Sequence, residues 1–510
     1  MKSSSKIIII VFVMFFSAGY VAYFFGGFLG LSDGNDYAGL ARSIVRGEGF
    51  SLGHLYPLAL VFNSNIPQPN NIWAPAYPVY LAGWFFIFGA DDTSVLAAAI
   101  AIMWLLILAT YYLGRKIAGE FGGILATALV GLNQSVLEVS LEGSPEILTA
   151  VLLAFSVLLL YCKKNSLNLL LSAVIFGLAV MSRYQIIAVA VPMFIFLPDR
   201  GYRAAVIWSA VVLATLSPWL IRNALELGNP FFTLQTYGEF TKGMGHLKYY
   251  YFNYRSFTPM TFWQAALNFP FYVFKKFGAG LVFFSLNFPA VINYFGVVPL
   301  AYGLRKTFHS GTPEGRFIGL TAVSCAIIIL LSSFDGHHWR HLINLSPLIS
   351  ISVVIGLGRM FENLHFFKRK LAASLLVCLL FFPARFPFQE MELWHNARAV
   401  NESKAVYEMI AVETDPEDVV VSDVSDGVWW YSDRLSVWMP VIYDDLFRAM
   451  DIVKSDFIYL EDTSKYYSGL SDGELYDFHS RMSMVKGVPG RWGLFKRYDG
   501  TTIMERENQI

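Results

Sequence analysis

The residues of this sequence best suited to chemistry are a few carboxylates and guanidiniums, each beside an apolar run. Asp33 and Asp36 stand in "SDGNDYAGLARSIVRGEGF", just after an apolar stretch that begins at Ile7, and Glu146 stands in "SLEGSPEILTA", where another such stretch begins. Arg183 in "VMSRYQ", Arg222 in "SPWLIRNALELGNP" and Arg340 in "DGHHWRHLINLSP" also mark the ends of apolar runs. Carboxylates are among the groups from which proton-transfer catalysis is built. A guanidinium can donate two parallel hydrogen bonds to one anion, which suits it to phosphate at an interface.

Each residue also has a quieter reading. Asp33, with Asp36 three residues on, can cap a helix in the manner of a capping box. Ser144, Pro145 and Glu146 fit the opening of a helix whose dipole favours an acidic residue there. A lone arginine at a span end can simply snorkel to water. Three arginines around two carboxylates at one depth are harder to set aside, with Glu142 as the weaker acidic partner. The run His337, His338, His341 beside Trp339 fits an aromatic belt better than a zinc ligand set.

The elements that must position these residues are helices in a bilayer. Of 510 residues, 55% are apolar, 16% aromatic and 15% charged, and the mean hydropathy is +0.49. This is the composition of a polytopic α-helical membrane protein. With 38 basic and 38 acidic residues, no bulk charge argues for nucleic acid. Runs long enough to cross about 30 Å of hydrocarbon number about eleven: 6–29, 94–114, 120–137, 146–162, 167–181, 185–198, 204–220, 281–303, 316–333, 341–361 and 370–384. Lys2 and Lys6, Arg115 and Lys116, Lys163 and Lys164, Arg200 and Arg203, Arg305 and Lys306, and Lys368 to Lys370 fall in alternate connections. The positive-inside rule then puts the N-terminus in the cytoplasm and the opening acidic stretch outside.

The first apolar run exceeds a signal-peptide core and is read as a retained helix. Cys162, Cys325 and Cys378 fall in or beside spans, so the external parts have no disulfide. Long loops, 30–93 and 222–280, and the tail gather on the external face, where function is expected. In the first of them Tyr37, Leu40, Ala41, Ile44 and Val45 form the apolar stripe of a helix lying along the membrane surface, and Pro78 to Gly89 forms a second interfacial segment. Beyond about Glu390 the runs "DVVVSD", "SVWMPVIY", "SDFIYLED" and "WGLFKRYD" predict a small external α/β domain, 387–510, after a transmembrane domain, 1–386. Walker loops, dinucleotide glycine fingerprints and Gly-x-Ser-x-Gly elbows are absent from the sequence, so no nucleotide cofactor is expected; a divalent metal is left open.

Taken in order, "DGNDYAGLARSIVRGEGF", "APAYPVYLAGWFFIFG", "SPEILTAVLLAF", "FGLAVMSRYQ", "SPWLIRNALELGNP" and "HHWRHLINLSPLI" resemble the pattern of the GT-C glycosyltransferase superfamily across roughly residues 7–360. The nearest branches are the dolichyl-phosphate-mannose protein mannosyltransferase-like and aminoarabinose-transferase-like enzymes. The resemblance implies transfer of a sugar from a polyprenyl or dolichyl phosphate to an external acceptor, with Asp33 as the first-loop catalytic aspartate and Glu146 as the acidic residue opening a later span. Asp33 would then be the base of an inverting displacement, with arginines stabilising the departing phosphate. The sequence departs from the pattern at Gly34, where a second acidic residue often stands, and at Trp73, near a usual basic position. Two other classes compete. A flippase for a lipid-linked sugar predicts inverted repeats and mid-membrane charges, and neither is visible. A degenerate accessory subunit is favoured only by Gly34.

Overall fold

A computed structural model describes residues 3–25, 33–162, 165–196, 201–238, 259–362 except 293, 295, 309 and 335–338, most of 407–460 with 404, and 492–498 and 501–506. The chain forms two compact units, each assembled from distant stretches. One comprises Met1–Gly27, Ala74–Leu225 and Phe277–Ala397, the other Phe28–Trp73, Glu226–Lys276 and Arg398–Ile510.

The first unit is helical. Among the described residues, five helices are long and apolar enough to cross a membrane: Lys6–Phe24, Asp92–Gly131, Gly201–Glu226, Pro313–Ser332 and Trp339–Met360. Phe262–Asn268 and Pro270–Val291, bent by 114° at their junction, make a sixth if taken together. The difference from about eleven expected runs has local causes. Glu146–Tyr161 and Ser166–Ser182 have 16 and 17 residues, and at 1.5 Å per residue they reach only about 24–26 Å. The run 281–303 is divided, because the helix ending at Val291 is followed by a break with Tyr294 at φ 51° before Val297–Thr307 begins. The expected run 370–384 and Cys378 lie outside the described residues.

The 40-residue helix Asp92–Gly131 is not straight. Gly119 sits at φ 77°, ψ 177°, a conformation open to glycine and costly for other residues. A Cβ on Gly123 would stand 2.7 Å from the carbonyl oxygen of Tyr111 and the amide nitrogen of Arg115. Twelve residues of straight helix would separate such positions by about 18 Å, so the chain doubles back at Gly119. The two segments lie side by side, matching the sequence division between 94–114 and 120–137. Lys6 Nζ meets Glu120 Oε1 at 2.7 Å just past this reversal, which brings the basic residues around Lys6, Arg115 and Lys116 to one end of the unit. Close approaches rest on small residues here as elsewhere in membrane bundles: a Cβ on Gly303 would meet the Cα of Gly356 at 2.9 Å.

The second unit is built on a sheet. Four short strands run parallel in the order β2 (His54–Leu55), β5 (Leu435–Trp438), β4 (Val419–Ser422) and β6 (Phe457–Leu460), and β8 (Thr501–Arg506) and β7 (Trp492–Tyr498) continue it antiparallel. The four apolar runs read from the tail are thus strands, but the edge strand β2 comes from the first loop. A two-stranded ribbon, β1 (Ser51–Leu52) with β3 (Gln68–Pro69), lies beside it in sequence. Tyr407, Ile410, Val420, Val424 and Val428 form a buried cluster under the sheet.

The helix Asp33–Val45 belongs to this unit and is buried from Gly34 through Ser43. The sequence placed it on the membrane surface with its polar face in water. The structure instead covers that polar face: Arg42 donates to the carbonyls of Trp429 (Nη2, 2.6 Å) and Trp430 (Nη1, 2.8 Å), and Arg46 pairs with Asp433 through both nitrogens at 2.8 Å. The reason is the bare backbone of two glycines. A Cβ on Gly39 or Gly53 would fall 2.4 or 2.3 Å from the Trp429 indole, so only glycine at both positions admits that ring.

Candidate active site

In the helical unit the charges converge on Glu146. Its carboxylate is fully buried at the first turn of Glu146–Tyr161, after the N-cap Pro145. Arg183, at the C-cap of Ser166–Ser182, donates from Nη2 to Glu146 Oε1. Arg340 enters from the 3-10 turn Trp339–Leu345. Its Nε lies 3.5 Å from Glu146 Oε1, and its Nη1 donates to Glu142 Oε2 at 3.3 Å. Burying a carboxylate in an apolar bundle is unfavourable unless a cation compensates it, and two guanidiniums do so here. The neighbouring hydroxyls fix the helix ends: Thr149 donates to Ser182 Oγ at 2.9 Å, and Ser182 to the Pro145 carbonyl at 3.3 Å.

Of the three arginines expected together, the structure therefore gathers Arg183 and Arg340. Arg222 is placed at an aromatic pair instead: its guanidinium stands 4.8 Å over the Trp219 ring and donates to Asn223 Oδ1 at 3.0 Å. Trp219 Nε1 in turn donates to the Tyr184 hydroxyl at 2.8 Å, next in sequence to Arg183. Glu142, ranked as the weaker acidic partner, joins the cluster. Its position in the turn before Pro145 puts it within reach of Arg340. His341 is buried and bonded to Ser332 Oγ at 2.9 Å, which fits neither the belt nor a ligand set; His337 and His338 lie outside the described residues.

In the sheet unit, Asp33 is the first helical residue, half-buried, and Asp36 is one turn further in. Asp36 is not the second member of a capping box. It is 1% exposed and meets His54 Nε2 at 2.8 Å through Oδ1. His54, on β2, faces Ser425 Oγ at 3.4 Å through Nδ1 and stacks on Trp429 at 6.0 Å, with Tyr56 and Trp438 at its edges. Beside Asp36, Asn35 donates from Nδ2 to Asp426 Oδ2 at 3.1 Å.

Burial raises the proton affinity of Asp36 against the charge of His54. Burial alone would lower that of His54, but the Asp36 charge and hydrogen bond, with the Asp426 charge, leave it raised. Asp426 is pushed up to about 7 by burial and by the nearby Asp36 charge. The sequence reading missed His54, Asp426 and Asn35. His54 stands four residues beyond the quoted acidic motif, and Asp426 follows the "DVVVSD" strand, so their partnership is invisible along the chain.

Apolar helices of this length and number, with charges gathered at helix ends, make up a polytopic membrane-type fold that is similar to that of the GT-C glycosyltransferases. The model of the family described as dolichyl-phosphate-mannose-protein mannosyltransferase matches residues 73–221, a stretch that holds Glu146 and Arg183. The fold is similar to that of ArnT from Cupriavidus metallidurans bound to undecaprenyl phosphate, with a TM-score of 0.59 and 11% identity, over 98% of each chain. It is also similar to archaeal oligosaccharyltransferase AglB from Archaeoglobus fulgidus in complex with an inhibitory peptide and a dolichol-phosphate, with a TM-score of 0.56 and 12% identity, over 98% of this chain and 74% of that one. By sequence, no curated protein matches. The expected GT-C resemblance is borne out, by sequence over 73–221 and by fold over nearly the whole chain.

Proposed function

We propose that this protein moves a sugar from a polyprenyl- or dolichyl-phosphate carrier to a hydroxyl-bearing acceptor on the external side of the membrane, where the N-terminus-inside topology puts the first loop and the tail. The observation that carries the reading is the pair Arg183 and Arg340 around buried Glu146. Glu146 holds Arg183 in place, while Arg340 is bound to Glu142, whose side chain is 38% exposed. A phosphate anion suits the Arg340 fork, which can donate two parallel hydrogen bonds to it. The similar proteins described with undecaprenyl phosphate and dolichol-phosphate support a lipid phosphate as that anion.

In the proposed reaction the acceptor oxygen attacks the anomeric carbon and the carbon–oxygen bond to phosphate breaks. The proton passes to the Asp33 carboxylate, and polyprenyl phosphate leaves with its charge matched by guanidinium. A single displacement inverts the anomeric centre. Asp33, half-buried, suits the role of base better than Asp36, whose carboxylate is already engaged by His54.

Purified wild-type and Asp33→Asn protein, given polyprenyl-phosphate sugars and candidate acceptors, are to be scored for released polyprenyl phosphate. Wild type should release it, and Asp33→Asn should lose roughly 10²- to 10⁴-fold in turnover with donor binding retained. Transfer by Asp33→Asn at the wild-type rate would remove the base assignment. Movement of intact lipid across the bilayer by wild type would favour a flippase.

A further inference from the structure

The helix that opens with Asp33 is held at its first turn from two directions by one end of one sheet. Asp36 is engaged by His54 at 2.8 Å, and Asn35 by Asp426 at 3.1 Å. His54 lies on β2 and Asp426 follows β4, and both strands pair with β5. Ser425, next to Asp426, faces the other ring nitrogen of His54 at 3.4 Å and donates no freedom to it, since its own carbonyl accepts from Ser436 at 2.7 Å. Trp429 closes the arrangement by seating on Gly39 and Gly53. Every group is buried, so the turn cannot shift without breaking a hydrogen bond in a dry environment.

We infer that His54, acting through Asp36, is a positioning residue for Asp33, and that the tail segment around Asp426 is part of the catalytic apparatus through the same turn. The inference rests on Asp33 being the base proposed above. A reacting group displaced by about 1 Å can lose on the order of 10²-fold in rate, and Asp33 is three residues from Asp36 on the same turn. Among the described residues the groups that face His54 are Asp36, Asp426, Ser425 and the rings of Tyr56, Trp429 and Trp438, so its titratable neighbours are Asp36, Asp426 and Tyr56.

The test compares wild type, Asp33→Asn, His54→Gln and the double variant Asp36→Asn/His54→Gln in steady-state transfer, with a melting curve for each. His54→Gln leaves the Asp36 carboxylate buried without its cation, and should lower kcat about 10- to 100-fold while the donor KM stays within about threefold. In the double variant two amides can rebuild the contact with no buried charge, and at least a tenfold part of kcat should return. Wild-type kcat in His54→Gln would overturn the positioning role. So would a fall in kcat that merely tracks the folded fraction, or a double variant no faster than the single one. Failure of the underlying reading looks different: Asp33→Asn would then turn over like wild type whatever the His54 variants do.

Discussion

At the scale of single residues, the two clusters make opposite demands. In the proposed function Arg340 exchanges one anion for another, so on that proposal Glu142→Gln should keep or raise donor affinity by removing a competitor. Arg340→Ala should weaken it by about 1.5 to 3 kcal/mol, the worth of a charge-assisted hydrogen bond. Titration of donor binding in the two variants checks both. Asp426, by contrast, must stay where it is. Its carboxyl titrates near 7 in the fold against 3.8 for an ordinary aspartate, so the folded state binds its proton more tightly than the unfolded chain does. The sign follows: the stability this group supplies is full below about pH 4 and is lost as pH rises to about 7, and the raised affinity of His54 acts in the same direction. The melting midpoint of wild type should therefore fall between pH 5 and 8, and Asp426→Asn should flatten that fall. An equally steep decline in the variant would show that another group sets it.

At the scale of elements, the contacts around Trp429 are the most sensitive. Gly53→Ala would place a Cβ 2.3 Å from the indole nitrogen of a ring that is itself 5% exposed, so the ring must move or the strand β2 must leave the sheet. Overpacking of this kind costs about 1 to 3 kcal/mol, and a lowered melting midpoint, with Gly83→Ala as the comparison at a glycine where a Cβ meets nothing within 4 Å, would measure it. How much of these elements could be read from the sequence depends on where their partners lie. The helix beginning at Asp33, the helix beginning at Glu146 and the four tail strands were legible because periodicity and turn residues are local signals. The reversal at Gly119 was visible as a division between two apolar runs. Burial of the polar face of Asp33–Val45 was not, because Asn35 and Arg42 are satisfied by residues 387 to 391 positions away. A polar face awaiting such partners looks, in one dimension, like a face meant for water. His54 was hidden for the same reason.

At the scale of the whole molecule, the tail is not an appendage with its own closed sheet. Its sheet takes β2 from the first loop, and the unit it forms includes Phe28–Trp73. A chain ending after Ala397 should therefore leave the first loop without the tail residues that Asn35, Arg42 and His54 meet. Limited proteolysis should cut such a truncated protein between residues 33 and 73 at a protease concentration that spares the full chain; equal resistance would mean the loop folds alone. The same arrangement bears on how the protein is made. His54 and Ser425 are 371 residues apart, and at roughly 5 to 20 residues per second a ribosome needs about 20 to 70 seconds to supply the second after the first. During that interval the loop carrying Asp33 is already synthesised, with the edge of β2 uncovered and the tail residues that Asn35 and Arg42 meet in the fold not yet made. Folding of the first loop is thus deferred by synthesis itself: β2 can take its place in the sheet only once the segment carrying β5 has emerged.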